Sequence, residues 1–390
     1  MKFFHLADLH LGKKVNEFSM VEDQKYILQQ ILGLVEEHRP DAVVLAGDVY
    51  DKSVPTVEAV DLLDWFLTEL AGRKVPVLLI SGNHDSADRL SFGAKLMEQS
   101  GVMVAKAFRG TPEPVVLQDA FGPVNFYLLP FVKPVMVRAA YAGEEGVEDL
   151  KSYQEAVQYV VDAMQVNPEE RNVLVAHQLV TAMSLGSGAA ELERSDSEEV
   201  SVGGVENVDF STFDAFDYVA LGHIHGPQRV GRDTVRYAGT PLKYSFSEVK
   251  HNKSVTVVEL GEKGKVELST LPLTPLHDMA VVTGTYEDLT GLSPYTGDAA
   301  DYLRVILTNE QDIPDVMNKL RLYYPNIMKL EYNNTRTRVN QEIEGAERVE
   351  EKKPLDLFAE LYEKQNNTEL DEEQSALVQQ LIERIWEEEA

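Results

Sequence analysis

From the N-terminus to about residue 272, short β-branched and apolar runs recur, each closed by a small or polar residue. They are FFHLAD from Phe3, AVVLAGD from Ala42, VLLISGNHD from Val77, VLVAH from Val173 and YVALGH from Tyr218. Runs of this length and composition predict buried strands. Between several of them the apolar period changes. Ile27, Ile31, Leu34 and Val35 within Glu22 to Glu37, and Val60, Leu63, Leu67 and Leu70 within Val57 to Leu70, fall on one helical face. Strands alternating with helices predict an α/β core. Each of these strands carries its polar signature at its C-terminal end, where α/β sheets place their ligand-binding loops, so those residues should converge.

Around Pro272 and Pro275 the pattern shifts. VVTGTY and YLRVIL read as strands, Ile313 to Tyr324 as a helix and IMKLEYN as a further strand, which together make a small α+β domain. After Asn340 comes a charged linker, EIEGAERVEEKKP, and then two predicted helices, Pro354 to Gln365 and Asp371 to Glu388. The expected division is 1–272, 273–338 and 339–390.

The strand ends carry five separated motifs: Asp8-x-His10, Gly47-Asp48-x-x-Asp51, Gly82-Asn83-His84-Asp85, His177 and Gly222-His223-x-His225. Five of the nine histidines lie in them. One strand-end Asp or His by itself is an ordinary turn former or a satisfied core residue. Five in series would need five unrelated structural reasons, whereas a pair of divalent cations explains them together. Such a pair needs mixed oxygen and nitrogen donors on rigid positions and a carboxylate able to bridge. Gly47, Gly82 and Gly222 are expected to permit tight turns there.

Composition narrows this further. The absence of cysteine excludes disulfides and thiolate-bound zinc, so any metal must be held by His, Asp, Glu or Asn. No stretch approaches the roughly 18 apolar residues of a membrane span, and the N-terminal apolar run is broken by His5 and Asp8, so the expected location is the cytoplasm. A formal charge of −29, from 36 basic and 65 acidic residues, opposes binding nucleic acid through a broadly basic surface. Part of that charge is local, because residues 342–390 hold 16 acidic and 5 basic side chains. No GxxxxGK[ST] segment is present, so ATP dependence would have to come from a partner.

The pattern D-x-H, GD-x-x-D, GNH-D/E, H and GH-x-H resembles the calcineurin-like metallophosphoesterase superfamily over roughly residues 1–245. That resemblance implies a sandwich of two mixed β-sheets flanked by helices, here with a small α+β capping domain and a helical tail. It implies one metal on Asp8, His10, Asp48 and His225, and a second on Asp48, Asn83, His177 and His223, with Asp48 bridging. His84 would stabilise the transition state or protonate the leaving oxygen, and Asp51 would orient His84, as in the phosphatase members. Asp85 could tune His84, brace the loop or start the next helix.

The superfamily holds phosphatases, phosphodiesterases and nucleases, so the motifs alone do not choose a substrate. FFHLADLHLGK, AGDVYD, ISGNHDSADRL, VGGVENV and YVALGHIH resemble more closely its bacterial DNA-repair nuclease subunits. This implies a manganese-dependent enzyme that degrades duplex DNA from 3′ to 5′, cuts hairpins, and pairs with an SMC-like ATPase bearing a long coiled coil. Leu377, Val378, Leu381, Ile382, Ile385 and Trp386 form an apolar stripe that either packs within the chain or docks residues 354–388 onto that partner. Val57, Val60, Leu63 and Leu67 either contribute to a homodimer, as the family's helices do, or cover the sheet. Lys13, Lys14 and Arg89 are placed to reach phosphates, and equally fit a plain surface role. Two rival readings remain: a small-substrate phosphatase or phosphodiesterase, which suits the acidic charge, and a scaffold without catalysis, which the unbroken donor set opposes.

Overall fold

In a computed structural model of the protein, the described residues are 1–188, 192–198, 206–292 and 294–335, with the pairs 358–359, 374–375 and 377–378. Two six-stranded sheets form the centre. The first runs, edge to edge, Val266–Pro272, Ser254–Leu260, Lys2–Leu6, Ala42–Ala46, Val77–Ile80 and Val102–Val104. The second runs Gln228–Val230, Arg232–Tyr237, Tyr218–Gly222, Arg171–His177, Gly122–Leu129 and Val115–Asp119. Both are mixed: Lys2–Leu6 pairs in parallel with Ala42–Ala46 and antiparallel with Ser254–Leu260, and Arg171–His177 pairs in parallel with both neighbours.

Side chains alternate across a strand, so Lys2–Leu6 serves two cores. Phe3 points between the sheets, where its ring meets Phe126 at 5.4 Å and Tyr218 at 5.8 Å, both edge to face. Val44, Leu78, Ile80, Val173 and Val175 fill the same layer. Phe4 points outward to the layer beneath helices Val21–His38 and Val57–Gly72, which bury Ile27, Ile31, Val35, Leu63, Phe66 and Leu67 there. Each such side chain contributes about 1.5–3 kcal/mol through burial. The stripe on Val57–Gly72 is therefore divided: Leu63 and Leu67 enter the core, while Val57 and Val60 stay 73% and 42% exposed. Helix Tyr153–Ala163 covers the second sheet and starts at a capping box made by Ser152 and Glu155.

Three further strands, Met279–Gly284, Tyr302–Leu307 and Ile327–Tyr332, form a separate parallel sheet backed by Leu289, Val316, Leu320 and Tyr324. Its helix spans only Val316–Arg321, shorter than Ile313 to Tyr324. Pro314 and Pro325 disfavour helical backbone in the residues before them, and Asp315 at φ 56° is left-handed. Asp23 joins this unit to helix Val21–His38: fully buried, it accepts from the Tyr302 hydroxyl at 2.7 Å and lies 3.0 Å from His277 Nδ1. The predicted tail helices, 354–365 and 371–388, lie outside the described residues except for the three helical pairs. Among the described residues no helix is long and apolar enough to cross a membrane.

Candidate metal centre

All five motifs meet at one end of the sandwich. Strands Lys2–Leu6, Ala42–Ala46 and Val77–Ile80 deliver Asp8 and His10, Asp48, and Asn83 and His84 from the first sheet. Strands Arg171–His177 and Tyr218–Gly222 deliver His177, and His223 and His225, from the second. Asp8, His10, Asp48, His177, His223 and His225 are all buried. Four of them sit in left-handed backbone: Asp8 (φ 54°), His10 (φ 44°), Asp48 (φ 47°) and His223 (φ 102°). Such conformations cost of order 1–3 kcal/mol each and persist where surrounding structure over-determines them. Here backbone bonds do so, from Asp8 N to Gly47 O at 3.0 Å and from His10 N to Asp48 O at 2.9 Å.

The three motif glycines serve close approach more than turning. A Cβ on Gly82 would lie 2.1 Å from Asp48 Oδ1, and one on Gly222 would lie 2.0 Å from Ala46 O. Only Gly47 adds a positive φ, 87°, and its Cβ would lie 2.3 Å from His177 Nδ1.

Asp48 stands at the centre. Its Oδ2 lies 3.3 Å from His177 Nε2, 3.7 Å from His10 Nε2 and 3.9 Å from His84 Nε2, while Oδ1 accepts from His84 N at 2.9 Å. On one side His10 Nε2 faces His225 Nε2 at 3.2 Å, with Asp8 within reach of both. On the other, Asn83 Oδ1 lies 3.0 Å from both His177 Nε2 and His223 Nδ1. Asp8 also groups with Asp48 and His177, so it lies between the two halves.

These donors fit divalent cations. His177 Nδ1 is 2.8 Å from the Ala46 carbonyl, which only accepts, so Nδ1 carries the proton. The Nε2 lone pair of the neutral ring then faces the oxygens of Asn83 and Asp48, and three lone pairs directed together call for a cation. Without metal the chain supplies a proton: burial disfavours charge on His177, but Asp48 and Asp8 outweigh it and push the ring up to about 9. Burial works to raise Asp48, yet the His177, His10 and His84 rings hold its carboxyl far below the usual range. Burial lowers His223 to about 3 and also lowers His10 and His225, keeping them as the neutral imidazoles that metal binding requires. Burial raises Asp8, only partly opposed by His177.

His84 is half-buried at the rim, and its Nδ1 lies 3.1 Å from the backbone carbonyl of Asp51. Asp51 thus meets His84 through its main chain, while its carboxylate takes Lys13 Nζ at 2.7 Å and lies 3.8 Å from His10 Nδ1. Lys14 and Arg89 are exposed. Asp85 accepts from three backbone N–H groups, Val49 at 3.0 Å, Tyr50 at 2.9 Å and Gly82 at 2.9 Å, and so ties two motif loops together. Burial, reinforced by Asp48, raises its carboxyl to about 6.

Several supporting residues have no signal in the sequence. Gln24 donates to His10 O at 2.7 Å, Tyr244 donates to Leu9 O at 2.6 Å, and the main chain of His225 donates to Glu198 at 2.8 Å. Gln24 lies within a helix whose apolar face was readable, but nothing in that pattern marks it as buried.

Comparison with known proteins adds to this geometry. Residues 1–227 match the calcineurin-like phosphoesterase family, and residues 275–366 match the family described as type 5 capsule protein repressor C-terminal domain. The chain is similar to the D subunit of the SbcCD nuclease of Staphylococcus epidermidis, with 35% identity over 334 residues, 85% of each chain. Among solved structures, a dimetal phosphatase from Danio rerio aligns with a TM-score of 0.42 at 13% identity, over 71% of this chain and 98% of its own. A protein from Thermus thermophilus aligns with a TM-score of 0.40 at 12% identity, over 69% and 98%.

Proposed function

Because the chain belongs to the calcineurin-like phosphoesterases and, within them, to the SbcD nuclease subunits, we propose that it hydrolyses phosphodiester bonds in double-stranded DNA as a 3′ to 5′ exonuclease and hairpin endonuclease. It is a metal-dependent phosphoesterase with a dimetal site built from His and Asp clusters. The observation that carries the reading is the convergence of seven donors, Asp8, His10, Asp48, Asn83, His177, His223 and His225, in two adjoining groups with Asp48 beside both. Asp8, His10, Asp48 and His225 would hold one ion and Asp48, Asn83, His177 and His223 the other; Mn²⁺ is taken from the resemblance to the DNA-repair nuclease subunits, since this mix of oxygen and imidazole ligands accepts Fe²⁺ and Zn²⁺ as well.

When bound, the two ions would supply a water of lowered pKa and positive charge to offset the negative charge developing on the phosphoryl group. The protein's own part is positional. Asp48 joins the two halves, and the Asp51 carbonyl holds the His84 ring with Nε2 turned toward the centre, 3.9 Å from Asp48 Oδ2. As an imidazolium, His84 would offer the N–H on Nε2 to the transition state or the leaving oxygen. No covalent enzyme intermediate is needed.

The relative's name implies an SbcC partner. We take residues 354–388 as the SbcC-binding segment, within an SbcC2–SbcD2 heterotetramer acting in replication, recombination and repair at the cytoplasmic nucleoid. We divide the chain into 1–272, 273–338 and 339–390; the first sheet ending at Pro272 and the small sheet beginning at Met279 support the first boundary, and the second falls outside the described residues.

The test is Mn²⁺-dependent cleavage of an end-labelled duplex by the purified chain, with and without SbcC and ATP, beside His84→Ala and a bis-p-nitrophenyl phosphate assay. Duplex cleavage that SbcC enhances and the substitution abolishes is expected; turnover of the small diester alone would sink the DNA reading. SbcC should copurify with the full chain and not with one lacking residues 340–390, and retained copurification would overturn the assignment of the tail.

A further inference from the structure

His225 is gripped at three of its polar atoms by residues outside the five motifs. Its ring Nδ1 lies 2.7 Å from Ser197 Oγ. Its backbone N–H donates to Glu198 Oε1 at 2.8 Å, and its carbonyl accepts from Lys253 Nζ at 3.0 Å. Behind Ser197 stands Glu248, which is fully buried: Oε1 lies 2.7 Å from Ser197 Oγ and 2.8 Å from Ser195 Oγ, and Oε2 lies 2.6 Å from Lys253 Nζ. Lys253 is itself buried and also donates to Thr240 Oγ1 at 2.6 Å.

The direction of each bond follows from what the groups can do. A carboxylate paired with a lysine only accepts, so the single Ser197 hydroxyl proton goes to Glu248. Ser197 Oγ is then left as an acceptor toward His225, and the ring must present Nδ1–H to it. That places the lone pair on Nε2, the atom facing His10 Nε2 at 3.2 Å. The alternative tautomer would set a lone pair against a hydroxyl already committed elsewhere and turn an N–H toward the other donors. A buried Glu–Lys pair is an expensive way to stabilise a fold, since desolvation offsets most of its attraction. Its placement directly behind a ligand imidazole gives it a different use.

We propose that Ser197, Glu248 and Lys253 are positioning residues that hold His225 as the Nδ1–H tautomer, so that its Nε2 is preset as a ligand for the metal shared with Asp8 and His10. The inference rests on the dimetal reading above. Outer partners of this kind orient ligand imidazoles and tune their affinity. The segment 192–198, which carries Ser195, Ser197 and Glu198 onto His225, thereby belongs to the metal site although none of its residues is one of the seven donors.

Isothermal titration of the metal-free full chain with Mn²⁺ tests this, comparing wild type, Ser197→Ala and Ser197→Thr, with the thermal midpoint of each metal-free protein measured alongside. Ser197→Ala should weaken one of two Mn²⁺ sites about 10- to 100-fold, leave the other within about twofold, and barely move the metal-free midpoint. Ser197→Thr, which keeps the hydroxyl, should restore the affinity. Equal affinities in all three proteins, equal weakening of both sites, or failure of threonine to rescue would overturn the proposal. A wild-type chain that takes up fewer than two Mn²⁺ would instead overturn the dimetal reading on which it stands.

Discussion

Gly82 leaves room for the Asp48 carboxylate, because the missing side chain's position lies 2.1 Å from Asp48 Oδ1 and 2.4 Å from Asp48 N. A methyl group there must displace Asp48 from the point where His10, His84 and His177 converge. Gly82→Ala is therefore expected to lower Mn²⁺-dependent phosphodiesterase turnover at least about 100-fold, since a misplacement of 1 Å in a reacting constellation is worth that much. Stability should fall by only about 1–3 kcal/mol, in the range for overpacking. Steady-state kinetics beside a urea titration separates the two, and near-wild-type turnover would show that Asp48 does not need this space. The same scale accounts for the difference at Asp51. Its place in the GD-x-x-D motif was readable, but whether His84 would meet its carboxylate or its carbonyl depended on where Lys13 pointed.

At the scale of elements, the second sheet is fastened at its edge by an ion pair between strands. Arg171, at the start of Arg171–His177, makes a two-pronged contact with Asp119 at the end of Val115–Asp119, with bonds of 2.6 Å and 2.9 Å. The guanidinium holds the Asp119 carboxyl well below the usual carboxylate range, against the opposing effect of desolvation. A depressed folded-state pKa means that the stabilisation is present above the unfolded value, near 3.9, and is lost as pH falls through the folded value. Asp119→Asn should cost about 2 kcal/mol at pH 7, the range for a charged hydrogen bond, and the difference from wild type should shrink steadily below about pH 4. Urea midpoints at pH 7 and pH 3 check this, and a gap that widened in acid would reverse the sign of the argument. Helix boundaries show the limits of pattern reading at this scale: Val57–Gly72 starts where its apolar period does, behind the Thr56 cap, whereas Val316–Arg321 is cut short by Pro314, Asp315 and Pro325.

For the molecule as a whole, Asp23 links the phosphoesterase sandwich to the small parallel sheet. Replacing it with alanine leaves the Tyr302 hydroxyl and His277 without their acceptor, at a cost of about 1–3 kcal/mol. Asp23→Ala should accordingly speed proteolysis within 279–332 while Mn²⁺ affinity stays unchanged, and equal protection in both proteins would show the link to be dispensable. Asp23 could not be foreseen, because its partners stand 254 and 279 residues away. The convergence of the motif residues could be. Each of the five motifs is local, with strand and polar end adjacent in the chain, and the parallel strands of an α/β sheet place their C-terminal ends on the same side. The amino-acid sequence by itself therefore determined the core class, the order of the donors and the candidate chemistry. Tertiary structure alone decided which nitrogen of each imidazole faces the centre, that Asp85 braces two loops, and that Ser197, Glu248 and Lys253 stand behind His225. Buried polar groups must find partners, but which partner each one finds is settled only when loops far apart in the chain are packed against one another.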